Sequence, residues 1–155
     1  MSNAAKVPTE RRERTKQTIA KLLRERQKVL VLFCQVAGLE PYTPDKHKPV
    51  LAQLQEFCQL LVDYSAFGHF EIYDRIGRGE ERREHVALVA EAVYPRIVET
   101  TNAAVAFNDK YDPSDHPLSL DRLSEDLSML GQSLATRIEM EDRLIAALLE
   151  QRAAA

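Results

Sequence analysis

Glycine occurs five times and proline seven times in 155 residues, which leaves few places to break a helix. Cysteine is rarer still. Cys34 and Cys58 are the whole complement, each inside an apolar stripe with helical spacing, and they read as reduced packing residues of a cytoplasmic protein. No stretch approaches the roughly 18 apolar residues needed to cross a bilayer. The opening Met-Ser-Asn-Ala-Ala-Lys lacks the apolar core of a signal peptide, so a cytoplasmic location is expected. Excess positive charge is also missing: 21 Lys and Arg stand against 24 Asp and Glu, a formal net charge of −3. That balance argues against general nucleic-acid binding, which needs a basic face. The one basic cluster, Arg11, Arg12, Arg14 and Lys16, is interrupted by Glu10 and Glu13 and reads as a solvated first helical turn.

What is present is helical periodicity nearly throughout, in a length that suits one domain with one core. Across residues 9–37 the apolar positions Ile19, Leu22, Leu23, Val29, Leu30, Phe33 and Val36 follow the three-and-four spacing of a helix face. Thr9 is the expected cap, Gly38 the expected terminator, and residues 1–8 are expected to be disordered. Residues 39–48, with Pro41 and Pro44, form a loop. A second helix starts near Pro49 and carries the stripe Val50, Leu51, Leu54, Phe57, Cys58, Leu61 and Val62. Phe67-Gly68 is expected to interrupt it, with a short helix over 69–76 ended by Gly77-Arg78-Gly79. A third helical segment spans 80–111, where Pro95 should kink or split it. A loop with two prolines, residues 112–117, precedes the last helix, 119–151. Strand-like alternation and hairpin signals are missing. Four long helices with short helical connections predict an all-α, antiparallel four-helix bundle occupying 1–155 as a single domain.

Charge on the apolar seams is the first chemical signal. The last helix runs Leu120, Leu123, Leu127, Leu130, Leu134, Arg137, Glu141, Leu144, Leu148, so Arg137 and Glu141 hold two positions the pattern would give to leucine. They are four apart and can touch. Arg26 interrupts the inward face of the first helix between Leu22/Leu23 and Val29/Leu30. Either these arginines drift to the stripe's edge and reach solvent, or they form a polar cluster lining a cavity, since a buried unpaired charge costs several kcal/mol or more.

Catalytic patterns do not assemble. A di-iron bundle needs paired Glu-x-x-His motifs, and none of His47, His69, His85 and His116 follows a glutamate at that spacing. Ser65 has no nucleophile elbow around it, Cys58 has no basic neighbour, and Gly77-Arg78-Gly79 is not a phosphate loop. No enzyme, metal or cofactor is expected.

Residues 57–76 are the second signal. Phe57, Tyr64, Phe67, Phe70 and Tyr73 are half of the ten Phe and Tyr of the chain. Packing at a helix junction explains much of this. Yet Asp63, Tyr64, His69 and Tyr73 add polar tips suited to a helix-binding groove. Phe57-Cys58, Leu61-Val62-Asp63-Tyr64, Gly68-His69-Phe70 and Ile72-Tyr73 together resemble the signature of the regulator-of-sigma-D (Rsd and AlgQ) family. Leu23-Arg24-Glu25-Arg26-Gln27, Gly38-Leu39-Glu40-Pro41, and the run from Leu134 to Leu144 with Arg137, Glu141 and Asp142 extend the likeness over most of the chain. Departures are Ala20 and Leu22, where the family usually has aspartate and tryptophan, and Phe67, where it usually has a small residue.

The resemblance implies a helical-bundle anti-sigma factor. Such a protein binds region four of the primary sigma factor, its C-terminal part, and keeps it from core RNA polymerase. It implies sigma binding by Asp63, His69 and Phe70, joined by Tyr64 and Tyr73, beside a polar cavity of Arg26, Arg137 and Glu141. It also implies a monomer in the complex, with no direct contact to nucleic acid or membrane. The alternative on residue chemistry is a small-molecule- or metal-binding bundle using Arg26, Arg137 and Glu141.

Overall fold

The computed structural model describes residues 6–38, 50–77, 79, 83–114 and 116–150. Four long helices make an all-α bundle: α1 (Lys6–Ala37), α2 (Val50–Gly68), α4 (Glu84–Lys110) and α5 (Leu123–Leu149). Between α2 and α4 lie a π-helical turn, His69–Tyr73, and a short α3, Asp74–Gly77. Each long helix packs on its sequence neighbour among the long helices, and α1 also meets α5, which closes the ring. No strand occurs among the described residues.

Apolar periodicity explains this arrangement. Ile19, Leu22 and Val29 of α1 turn inward, as do Leu54, Phe57 and Leu61 of α2. Val86, Val93, Ile97, Ala104 and Phe107 of α4 meet Leu127, Leu130, Leu134, Met140 and Leu144 of α5. Each large side chain buried this way contributes about 1.5–3 kcal/mol. Phe33, Phe57 and Phe107 form an aromatic column across three helices, with ring centroids 6.0 and 5.9 Å apart. Gly131 admits Phe33, whose Cζ would lie 2.9 Å from any added Cβ, so α1 and α5 approach closely there.

The ends of the α4–α5 pair are tied by polar contacts. Tyr111 donates to Asp126 Oδ2 at 2.5 Å and Lys110 pairs with the same oxygen at 2.5 Å. Those contacts hold the Asp126 carboxyl below the usual carboxylate range. Arg83 donates to the Leu148 carbonyl at 3.1 Å, satisfying an end carbonyl of α5. In the intervening loop Asp112 accepts from the Ser114 amide and hydroxyl.

Several boundaries differ from expectation. Helix α1 begins at Lys6, so Thr9 is inside it and does not cap it. Residues 1–5 and the expected loop 39–48 lie outside the described residues. Gly38 does end α1, in the left-handed region at φ 69°, and Gly79 follows α3 at φ 78°. Pro95 neither splits nor ends its helix: α4 runs through it as one element, because the flanking turns are anchored by Val93 and Ile97 in the core. Gly68 does not break α2 either. It is right-handed helical, φ −59° and ψ −44°, and passes straight into the π turn.

Candidate functional site

Gly68 is there for its lack of a side chain. A Cβ added to it would lie 3.0 Å from Tyr73 Cε2, 3.2 Å from Arg137 Nη2 and 3.5 Å from Leu22 Cδ1. The bare backbone lets α2 settle against α5. The next turn is then wide, with the Asp74 amide donating to the His69 carbonyl five residues back. In an unbroken α-helix, residues nine apart lie on opposite faces. The extra residue of the π turn swings Tyr73 round towards Tyr64, and both hydroxyls reach one carboxylate.

That carboxylate is Glu141. Tyr64 donates to Oε1, Tyr73 donates to Oε2 at 2.6 Å, and Arg137 Nε donates to Oε2 at 3.1 Å. Arg137 Nη1 continues to Thr101 Oγ1 at 2.8 Å on α4, with Thr100 Oγ1 at 3.4 Å. Both threonine hydroxyls donate onward to the Ile97 carbonyl. The Arg137 guanidinium also lies over the rings of Tyr64 and Tyr73, at 5.0 and 5.7 Å from their centroids. Arg26 closes the outer edge, 3.5 Å from Glu141 Oε1 and 2.8 Å from Asp142 Oδ1.

Burial and charge act together in this network. Arg137 and Glu141 are each 1% exposed. Burial works against the charge on Arg137, but the field of Glu141 outweighs it and the guanidinium stays firmly protonated. Burial first, and the Glu141 charge second, push the Tyr64 and Tyr73 hydroxyls well above the ordinary tyrosine range. At neutral pH both therefore remain donors.

Over this base the surface is aromatic and acidic. Phe70 is 62% exposed, the largest aromatic exposure among the described residues. The half-buried His69 ring stands edge-on to it, centroids 4.9 Å apart. Asp63, exposed about two turns earlier on α2, accepts from Gln59 at 2.9 Å. Between them Phe67 carries the Lys21 ammonium over its ring at 4.8 Å.

A family profile described as "Regulator of RNA polymerase sigma(70) subunit, Rsd/AlgQ" matches residues 1–149. The chain belongs to the Rsd/AlgQ family. It is 35% identical over 149 residues to the "Regulator of sigma D" of Yersinia pseudotuberculosis serotype O:1b (strain IP 31758), covering 94% of this chain and 87% of that protein. The protein of the same name from Yersinia enterocolitica serotype O:8 / biotype 1B is 34% identical, covering 94% of this chain and 88% of its own. That of Enterobacter sp. (strain 638) is 32% identical, covering 97% and 91%. No solved structure matches.

In this Rsd/AlgQ family member the expected site residues divide by depth. Asp63, His69 and Phe70 reach the surface. Tyr64 and Tyr73, expected with them, are 0% and 4% exposed, so they support the surface from below and present none themselves. Arg26, Arg137 and Glu141 do come together as expected, but as a packed network whose members bond one another, not as an open cavity. A groove of about 520 Å³ does open between α4 and α5, over Ala103, Ala106, Phe107 and Leu130, and none of the three lines it.

Thr100 and Thr101 had not been anticipated. Their signal was Thr100 on the seam Val93, Ile97, Thr100, Ala104, Phe107, one polar position on a buried helix face. Leu22, standing where the resemblance expects tryptophan, is core and packs at Gly68. Among the described residues no group of three or more His, Cys, Asp and Glu is placed to hold a metal ion, and no helix is long and apolar enough to cross a membrane.

Proposed function

We propose that this chain is a stoichiometric anti-sigma factor that binds region four of the primary sigma factor and keeps it from core RNA polymerase. Family membership supplies the partner class, since the matching profile describes regulators of the sigma(70) subunit. The observation that carries the docking site is Phe70: a large aromatic, 62% exposed, on a π turn fixed from beneath by the Tyr73–Glu141 bond. A rigid exposed aromatic with polar groups around it is the usual make-up of a binding hot spot. His69 holds the Phe70 ring by edge contact, and Asp63 supplies a charge for a basic partner surface. The work is binding without turnover, in a one-to-one complex. The ligand-binding alternative gains little from the geometry: the Glu141 carboxylate is taken up by Arg137 Nε, both tyrosines and Arg26, and only Arg137 Nη2, packed beside Gly68, is left without a hydrogen-bond partner.

Isothermal titration with purified sigma region four tests this. Phe70→Ala should cost about 2 kcal/mol or more, roughly 30-fold in affinity, and Asp63→Ala should weaken binding in a salt-dependent way. If both variants bind as tightly as the parent, the docking site lies elsewhere. If the parent does not bind, the assigned partner is wrong.

A further inference from the structure

Helix α1 carries a charge imbalance of which the site described above takes up only Arg26, with Lys21 at its border. Lys6–Ala37 holds nine Lys and Arg against three Glu, a formal +6, in a chain whose total is −3. The remainder is therefore at −9. From Glu10 to Thr18 no side chain is buried, and the first core residue of α1 is Ile19. A polar helical stretch with no buried side chain, and only Thr15 and Thr18 half-buried, gains little from tertiary contact and is only marginally stable by itself.

The basic residues are ordered along the helix. Arg14, Lys21 and Lys28 are seven apart and share one face, with Arg24 beside it, and all four are exposed. This face points away from Ile19, Leu22 and Val29, which enter the core. Arg14 and Arg24 have no ion-pair partner among the described residues. Lys28 has only Glu25, at 3.7 Å in an exposed setting where such a pair is worth little. Lys21 leans on Phe67, so an aromatic ring borders the stripe midway.

We infer that this face of α1 is a second docking surface, whose occupant is an acidic α-helical segment of a partner protein. Three features select that occupant. The seven-residue repeat matches the period at which a second helix presents its own charges. The aromatic border at Phe67 gives such a helix an apolar contact, which a phosphate backbone would not use. The −9 carried by the rest of the molecule repels an extended polyanion such as duplex DNA, while a short acidic helix meets the stripe alone. This inference does not depend on the sigma partner.

The test uses the full chain and three labelled probes in fluorescence anisotropy. One is a helical peptide of about 21 residues with glutamate at every seventh position; the second has the same composition scrambled. The third is a DNA duplex of about 20 base pairs. The ordered peptide should bind at least about tenfold more tightly than the scrambled one, with affinity falling as salt rises. The triple variant Arg14→Glu, Lys21→Glu, Lys28→Glu should lose that binding with an unchanged circular dichroism spectrum, and a peptide with lysine for glutamate should restore it. Equal binding of ordered and scrambled peptides, or no peptide binding at low salt, overturns the proposal. Tighter binding of the duplex than of the ordered peptide overturns it in favour of nucleic acid.

Discussion

Glu141 is the residue on which most of the site's polar groups depend. It accepts from two tyrosines and Arg137, and Arg26 stands nearby. Glu141→Leu leaves Arg137 charged and buried, a change expected to cost about 3–5 kcal/mol. The double variant Arg137→Met, Glu141→Leu should be less destabilised than Glu141→Leu alone, because no uncompensated charge remains. Urea denaturation of the two proteins checks this, and a single variant costing under about 1 kcal/mol would show the pair to be unimportant. Arg137 and Glu141 were legible in the sequence as interruptions of a leucine seam. Their partners were less so: Tyr64 and Tyr73 are nine apart, a spacing that assigns them to opposite faces of any α-helix.

At the scale of elements, α2 and its π turn decide what the site presents. Glycine at position 68 looked like a helix breaker, since glycine frees the backbone. Its surroundings use it instead for close approach, with Tyr73 and Arg137 occupying the space of a side chain. Nothing local in the sequence distinguishes the two uses. Pro95 repeats the lesson on α4, where tertiary packing overrides the local preference for a break. Its ring removes a backbone donor and crowds the preceding turn. Since Pro95 is exposed, Pro95→Ala should raise stability, by up to about 3 kcal/mol, read as a higher urea midpoint. An unchanged or lower midpoint would mean that the proline shapes α4 in a way the core requires.

Across the whole molecule, the buried network makes stability sensitive to alkali. Burial raises the Cys58 thiol from 9.0 to about 11. Burial and then Glu141 raise Tyr64 and Tyr73 above their ordinary 10.0. In each case the folded state holds its proton where the unfolded chain releases it. The unfolded state therefore binds fewer protons, and stability falls as pH rises. Stability from these groups is complete below pH 9, declines through Cys58 between 9 and 11, and declines more steeply above 10 as the tyrosines join. Each group adds a slope of about 1.4 kcal/mol per pH unit within its window. Melting temperatures followed upward from about pH 8 should show this bend, and Tyr64→Phe, Tyr73→Phe should flatten the part above 10. A double variant with an unaltered alkaline slope would rule out Tyr64 and Tyr73 as its source, leaving Tyr111, which burial and Asp126 also raise.

Periodicity alone determined the all-helical bundle and the inward stripes, because a helix that must bury one face records that face every three or four residues. Resemblance to the Rsd/AlgQ signature, not periodicity, marked Asp63, His69 and Phe70 as a group. Only the tertiary structure decided their depth relative to Tyr64 and Tyr73. Depth at the α2 junction depends on one extra residue in a helical turn and on how closely α5 approaches Gly68, and both are set by contacts between segments distant in the chain.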